Sequence, residues 1–211
     1  IFASMITFLY KGDHLISCRN IFGATHTMIT KYFAKWGIEH SYFDADKPEQ
    51  IEKLIRKSTK MIFVETPTNP GLDIVDLAVI GKIAKKHKLI FNVDNCFATP
   101  IFQRPIEFGA DVVIHSATKY IDGQGRTLGG IILASTDIIK KVEAFARHTG
   151  PSLSPFNAWV LSKSLELLPL RMERHSQNAL NIAKKLETNP NVKWVKYPHL
   201  ESHPQYEIAK K

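Results

Sequence analysis

The sequence predicts an α/β fold built on a doubly wound, mostly parallel sheet with helices on both faces. Strand-like apolar runs alternate with amphipathic helical stretches over most of the chain, the order expected of right-handed βαβ units. The strand runs are also nearly continuous in apolar residues. That is the pattern of a parallel sheet buried on both sides, not of one with a wet face.

The elements follow in order. The opening IFASMITFLYKGDH already carries a helical pattern and starts with isoleucine, so a piece lacking its N-terminal part is expected. HLISC (14–18) reads as a strand, GATHTMITKYFAKW (23–36) as a helix and IEHSYF (38–43) as a strand. PEQIEKLIRKS (48–58) is a helix with Pro48 suited to its first turn and Ile51, Leu54 and Ile55 on one face. KMIFVE (60–65) is a strand. DLAVIGKIAKKHK (76–88) is a helix with Leu77, Ile80, Ile83 and Ala84 inward and lysines largely opposite. LIFNVD (89–94), DVVIHS (111–116) and GGIILAS (129–135) follow as strands. The last third changes character, with helices at 136–147, 155–168 and 170–188 and a strand at NVKWVKY (191–197). The change divides the chain into a large domain over 1–170 and, over 171–211, a linking helix and the start of a smaller C-terminal α+β domain.

Composition narrows the function classes. The 211 residues are 44% apolar and 23% charged, enough to bury a core. No apolar run approaches the roughly 18 residues of a membrane span, and no leader pattern stands out. Cys18 and Cys96 are the only cysteines and lack metal-ligand spacing, which points to a reducing, cytoplasmic setting without a metal site. The nine histidines are scattered, and one such as His87 reads as a solvated helix residue. The net charge of +8 raises the question of nucleic acid. Lys82, Lys85, Lys86, Lys88, Lys140, Lys141, Lys184, Lys185, Lys210 and Lys211 are spread over outward helix faces, however, with no stripe of aromatic platforms. A solvated surface accounts for them, and neither a nucleic-acid nor a membrane partner is expected.

In an open α/β sheet ligands bind outside the carboxyl ends of the strands. KMIFVE runs into TPTNPG, which puts Asn69 in a turn bracketed by Pro67 and Pro70. LIFNVD ends in Asp94, and DVVIHS ends in Ser116 with Thr118 and Lys119 directly after. One amide, one carboxylate, two hydroxyls and one amine therefore share an edge. A lysine amine at a partly dry site can form a Schiff base. A carboxylate leaving an apolar strand calls for a positive partner such as a protonated pyridine nitrogen. Hydroxyls and main-chain amides beside the lysine can hold phosphate oxygens. Together these are the parts that pyridoxal phosphate needs. Plainer readings stand beside this one, with Asp94 as a strand-end cap and Asn69 as a turn former. Three such groups at three strand ends favour the chemical reading.

Two other motifs fit the letters and fail on context. Ser116-Ala-Thr-Lys119 matches SxxK, but SDN and KTG partners are missing and a glycine-rich loop follows instead of a helix. Gly123, Gly125 and Gly129 give GxGxxxG, and a strand follows where a dinucleotide fingerprint opens a helix.

The motifs VETPTNPGLDIVD (64–76), VDNCFATP (93–100), ADVVIHSATKYIDGQGR (110–126) and LSPFNAW (153–159) resemble the Cys/Met-metabolism enzymes that use pyridoxal phosphate. That family comprises cystathionine γ-synthase, the β- and γ-lyases and the homoserine-ester sulfhydrylases. ESHPQYEIAKK (201–211) looks like the opening of its C-terminal domain, so the likeness covers essentially the whole chain. The resemblance implies the fold type I architecture of pyridoxal-phosphate aminotransferases. It also implies that Lys119 holds the cofactor as a Schiff base and Asp94 pairs with the ring nitrogen. Asn69 would bond the phenolic oxygen, and Ser116 and Thr118 the phosphate. Phe22, in FGAT (22–25), aligns with the aromatic residue that stacks on the ring. Most members have tyrosine there, so phenylalanine keeps the stacking and loses a hydroxyl that can move protons, which weighs against a lyase. Without the resemblance, Phe22 reads as a core residue where a helix starts.

GQGR, DNCF and this phenylalanine look most like the O-succinylhomoserine sulfhydrylases. The implied reaction is γ-replacement, in which a homoserine ester loses succinate and gains sulfide to give homocysteine in methionine biosynthesis. Cystathionine γ-synthase or a methionine or cystathionine γ-lyase is the alternative within the family, and a catalytically silent binding module the alternative outside it. The resemblance further implies a homotetramer, a dimer of dimers with shared active sites, and further cofactor and substrate contacts outside residues 1–211.

Overall fold

The computed structural model describes residues 1–211. Six strands form one sheet, β1 (His14–Cys18), β2 (Glu39–Phe43), β3 (Thr59–Glu65), β4 (Ile90–Asp94), β5 (Val112–Ser116) and β6 (Gly130–Ala134), in the order β2-β1-β3-β4-β5-β6. The first five are parallel; β6 runs antiparallel on the edge, with Gly130 opposite Ser116. The chain passes from β1 outward to β2 and then returns to the other side of β1 for β3. The order therefore reverses between β1 and β3, the crevice position where such sheets bind ligands.

Helices cover both faces, as the apolar strands predict. Every residue of β1 is buried, and so is every residue of β3 except Lys60, while edge strand β6 is only partly covered. The helices are α1 (Phe2–Ile6), α2 (Gly23–Thr27), α3 (Gln50–Leu54), α4 (Leu77–His87), α5 (Thr99–Phe102), α6 (Thr136–Thr149), α7 (Pro155–Leu165), α8 (Leu168–Glu187) and α9 (Tyr206–Ala209). After α2 the chain widens into a π turn over Met28–Phe33. Phe2 of α1 packs against Phe33 of that turn and Phe145 of α6, with ring centroids 6.2 and 6.1 Å apart.

The ends of α4 are set locally. Asp76 Oδ1 accepts from the N–H groups of Ala78 and Val79 at 3.0 and 3.2 Å, satisfying two amides of the first turn. Lys88, with φ of 55°, stops the helix in the left-handed region, and Lys85, Lys86 and His87 lie where the helix dipole favours positive charge. Leu77, Ile80, Ile83 and Ala84 are buried, as the 3.6-residue spacing predicts. No helix is long and apolar enough to cross a membrane.

Two elements depart from the sequence reading. The helix expected over 48–58 is cut to Gln50–Leu54, because Ile55 turns to extended geometry and Thr59 Oγ1 captures the Arg56 N–H at 2.8 Å. A local hydroxyl competes there with the helical bond. The strand expected at 191–197 does not form. Its alternating residues have no ladder beside them, and Trp194 is 72% exposed. Instead Lys196 Nζ reaches Asp73 Oδ1 at 2.5 Å, and further on the Gln205 side-chain oxygen accepts from the Ile74 N–H at 3.2 Å. Residues 196–205 thus lie on the loop that follows β3.

Candidate active site

Because β1, β3, β4 and β5 are parallel, their carboxyl ends fall on one edge. All six residues singled out from the sequence are there or in the turns directly after. Asp94 closes β4 and Ser116 closes β5, with Thr118 and Lys119 in the turn beyond. Asn69 follows β3, and Phe22 follows β1 at the start of α2.

Asp94 is buried and its Oδ1 accepts from the Cys96 N–H at 3.0 Å. Loss of water raises its pKa to about 6, against the opposing pull of that N–H. Directly across the ladder lies Glu65, the last residue of β3 and also buried. Burial raises the Glu65 pKa to about 7, and Asp94 adds to the rise; the main-chain N–H groups of Phe22 and Asn69 pull it back. Neither carboxyl has a lysine or arginine within ion-pair distance. Asp94, buried with no lysine or arginine side chain against it, favours a positively charged partner.

Glu65 is the residue that the sequence reading missed. Its signal was available, since it closes an apolar strand at the same edge and obeys the same rule that selected Asp94.

Phe22 is 49% exposed, which removes the reading as a core residue. Its ring is a surface at the edge of the crevice, while its N–H is fixed to Glu65 Oε2 at 2.8 Å. The turn carrying Asn69 is held by its neighbours. Thr68 N–H donates to Asp73 O and Leu72 N–H to Thr68 O, both at 2.9 Å, and the Asp73 carboxylate takes the Asn20 side-chain amide at 2.9 Å.

Lys119 is exposed and opens a tightly bonded turn. Its N–H donates to Ser116 O at 3.1 Å, and its carbonyl accepts from the Gly123 N–H at 2.8 Å. The Arg171 guanidinium on α8 donates to Tyr120 O at 2.6 Å and to Ile121 O and Ser164 O at 3.1 Å. Gly123 has φ of 72°, and a Cβ there would lie 2.1 Å from the Arg171 guanidinium, so only glycine fits. In the GQGR tail, Arg126 folds back on Asp122, Nε to Oδ1 at 3.1 Å, and its Nη2 donates to Ser164 Oγ at 2.6 Å. The tail is a brace for the lysine turn.

The two hydroxyls differ. Ser116 Oγ is only partly buried and makes no hydrogen bond within the chain. Thr118 Oγ1 donates to Gly129 O at 3.2 Å and accepts from Gly129 N–H at 3.1 Å, so its one proton is already engaged. Cys96 sits beside the acids; burial raises its thiol to about 11, Asp94 adds to the rise, and the Lys119 charge pulls it down. It is therefore a protonated thiol at neutral pH.

The α/β fold thus gathers an amine, two buried acids and an exposed ring at one edge of a mostly parallel sheet, a set of groups suited to holding a cofactor. Comparison with known proteins makes this specific. A family model, the Cys/Met metabolism PLP-dependent enzymes, matches residues 1–211, and the chain belongs to that family. Its cofactor is pyridoxal phosphate. The chain is 44% identical over 211 residues to an O-succinylhomoserine sulfhydrylase of Pseudomonas aeruginosa, covering all of this chain and 52% of that relative. It is 42% identical over 201 residues to a cystathionine gamma-lyase of Bacillus subtilis, covering 95% of this chain and 53% of the relative. An L-methionine gamma-lyase of Porphyromonas gingivalis is 40% identical over 203 residues, with 95% and 51% covered. The chain spans about half the length of these relatives.

The residues present fit the cofactor. Asp94, buried without a lysine or arginine partner, suits a protonated ring nitrogen, the exposed Phe22 ring suits its face, and Ser116 Oγ suits an anionic oxygen. Only Thr118 needs its hydroxyl turned before it can donate to a new partner.

Proposed function

We propose that the protein containing this chain catalyses pyridoxal-phosphate-dependent γ-replacement on O-succinylhomoserine, with sulfide as nucleophile and homocysteine as product. The observation that carries this reading is the full-chain similarity to an O-succinylhomoserine sulfhydrylase, joined to an edge residue, Phe22, that has no hydroxyl. With no proton carrier at that position, proton movement falls to the exposed amine of Lys119.

When bound, the cofactor supplies an electron sink for the substrate α carbon. Lys119 Nζ is the amine that would hold it and then carry the proton taken from that carbon. Asp94 stays ionised beside a cationic nitrogen and keeps a proton there. Phe22 covers one face and Asn69 orients the ring from the turn after β3. Ser116 Oγ donates to the phosphate, joined by Thr118 once its proton is turned outward.

The test is product analysis with the protein at its natural length. Supplied with O-succinylhomoserine and sulfide it should form homocysteine, and Lys119→Ala should lower turnover by roughly a thousandfold or more. Borohydride should fix the cofactor on the peptide containing Lys119. Cystathionine formed from cysteine in preference to homocysteine from sulfide would point to cystathionine γ-synthase. An oxo acid released without any nucleophile would point to the γ-lyases. Failure to take up pyridoxal phosphate would overturn the assignment.

A further inference from the structure

We infer that Glu65 is a positioning residue of this site, whose buried carboxyl spans the β1/β3 reversal and fixes the stacking ring of Phe22 against the strand end that carries Asp94. The inference rests on the pyridoxal-phosphate reading above and adds to it a residue with a defined role.

Strand order reverses between β1 and β3, so the chain diverges there and no main-chain ladder continues past the strand ends. Phe22 belongs to the β1 side of this gap, and Asn69 and Asp94 to the β3 and β4 side. Something must hold the two sides in register if a flat ring is to meet all three. Glu65 Oε2 accepts from the Phe22 N–H at 2.8 Å, across 43 residues of sequence. This is a side-chain bond made by a carboxyl whose own residue is buried and paired in register with Asp94.

Local structure offers Phe22 no substitute. It stands at the start of α2, where a main-chain N–H has no helical partner, and no side-chain cap closes that end. With the carboxyl removed, the Phe22 amide would turn to solvent and the half-exposed ring would lose its fixed height above the sheet.

A burial-only role is a poor account of Glu65. A buried acid costs desolvation that an apolar residue of similar size would not. Ile114, the neighbour of Asp94 on the other side in the same rung, shows that an apolar residue can fill such a position.

Two substitutions separate reach from charge in the protein at its natural length. Glu65→Gln keeps an acceptor oxygen at the same distance and removes the charge. Glu65→Asp keeps the charge and withdraws it by one methylene from the Phe22 N–H. The readouts are the dissociation constant for pyridoxal phosphate and the visible circular dichroism of the bound cofactor, which reports how the ring is held. A positioning role predicts that Glu65→Gln stays within about threefold of wild type with its dichroism intact. Glu65→Asp should bind roughly tenfold more weakly, with an attenuated band. The reverse pattern would assign the residue to charge and overturn the inference, and so would two unaffected or two equally damaged variants. If wild type itself takes up no pyridoxal phosphate, it is the parent reading that fails.

Discussion

At the scale of single residues, the decisive property is where charge is held without water. Asp94 has its pKa raised to about 6 by burial, so near that pH it is part protonated without a positive partner. A cationic ring nitrogen placed beside it lowers that pKa, and the proton leaves. Cofactor binding near pH 6 should therefore release protons, and the release should fade toward pH 8, where Asp94 is already ionised. Calorimetry in two buffers of different ionisation enthalpy measures this directly. Asp94→Asn removes the charge but keeps the shape. It should lower kcat by about 100-fold or more and raise the cofactor dissociation constant by no more than roughly tenfold. Undiminished turnover in that variant would remove Asp94 from the proposed role. The shared strand-end placement of Asn69, Asp94, Ser116 and Lys119 was legible in the sequence because each follows an apolar run long enough to be read as a strand. Glu65 was equally placed, but its use depends on an amide 43 residues away, and no local pattern records such a partner.

At the scale of elements, the lysine turn is held from α8. Arg171 supplies three bonds to main-chain carbonyls, two of them in the turn directly after Lys119. Arg171→Ala leaves those carbonyls without their donor and opens a space against Gly123. It should cost about 2–3 kcal/mol of stability, read as a lower denaturant midpoint. Arg171→Lys should recover little of that loss, because an ammonium cannot reproduce the planar fork. Sequence reasoning did not find this brace, since backbone carbonyls carry no residue identity. The same blindness to partners explains the strand misread at 191–197. Alternation in NVKWVKY was real, but a strand exists only beside another, and Lys196 is instead drawn to Asp73. Helix α4 was read well because its cap, its apolar face and its stop all lie within its own stretch.

At the scale of the whole molecule, the fold class followed from the continuous apolar strands, whereas the strand order did not. The reversal at β1/β3 and the antiparallel β6 are set by long-range packing. At the end of the sheet opposite the site, His14 of β1 ties three strands together. Its Nδ1 meets Thr59 Oγ1 of β3 at 2.8 Å and its Nε2 meets Ser41 Oγ of β2 at 2.9 Å. Burial, helped by the Arg56 charge, depresses its pKa to about 4. The fold thus holds a neutral imidazole, while in the unfolded chain the ring protonates below about pH 6.5. Above that pH the contribution is fully present; as pH falls from 6.5 to 4 the unfolded chain binds the proton first and stability is lost, by up to about 3 kcal/mol. Unfolding curves at stepped pH should show this decline, and His14→Gln should flatten it. An unchanged slope in the variant would assign the decline to other groups.

The bond pair between Thr118 and Gly129 bears on how the site would respond to an anion. Thr118 and Gly129 stand at the two ends of the connection between β5 and β6, latched by three bonds: the hydroxyl pair and the Thr118 N–H donating to Gly129 O at 3.3 Å. A hydroxyl has a single hydrogen to give. An anionic oxygen that claimed it would cost the Gly129 carbonyl one of its two donors, while the bonds from the Thr118 N–H to Gly129 O and from the Gly129 N–H to Thr118 Oγ1 stay. The hydroxyl could thus serve an anion while the loop bearing Arg126 stays tied at both ends to the lysine edge.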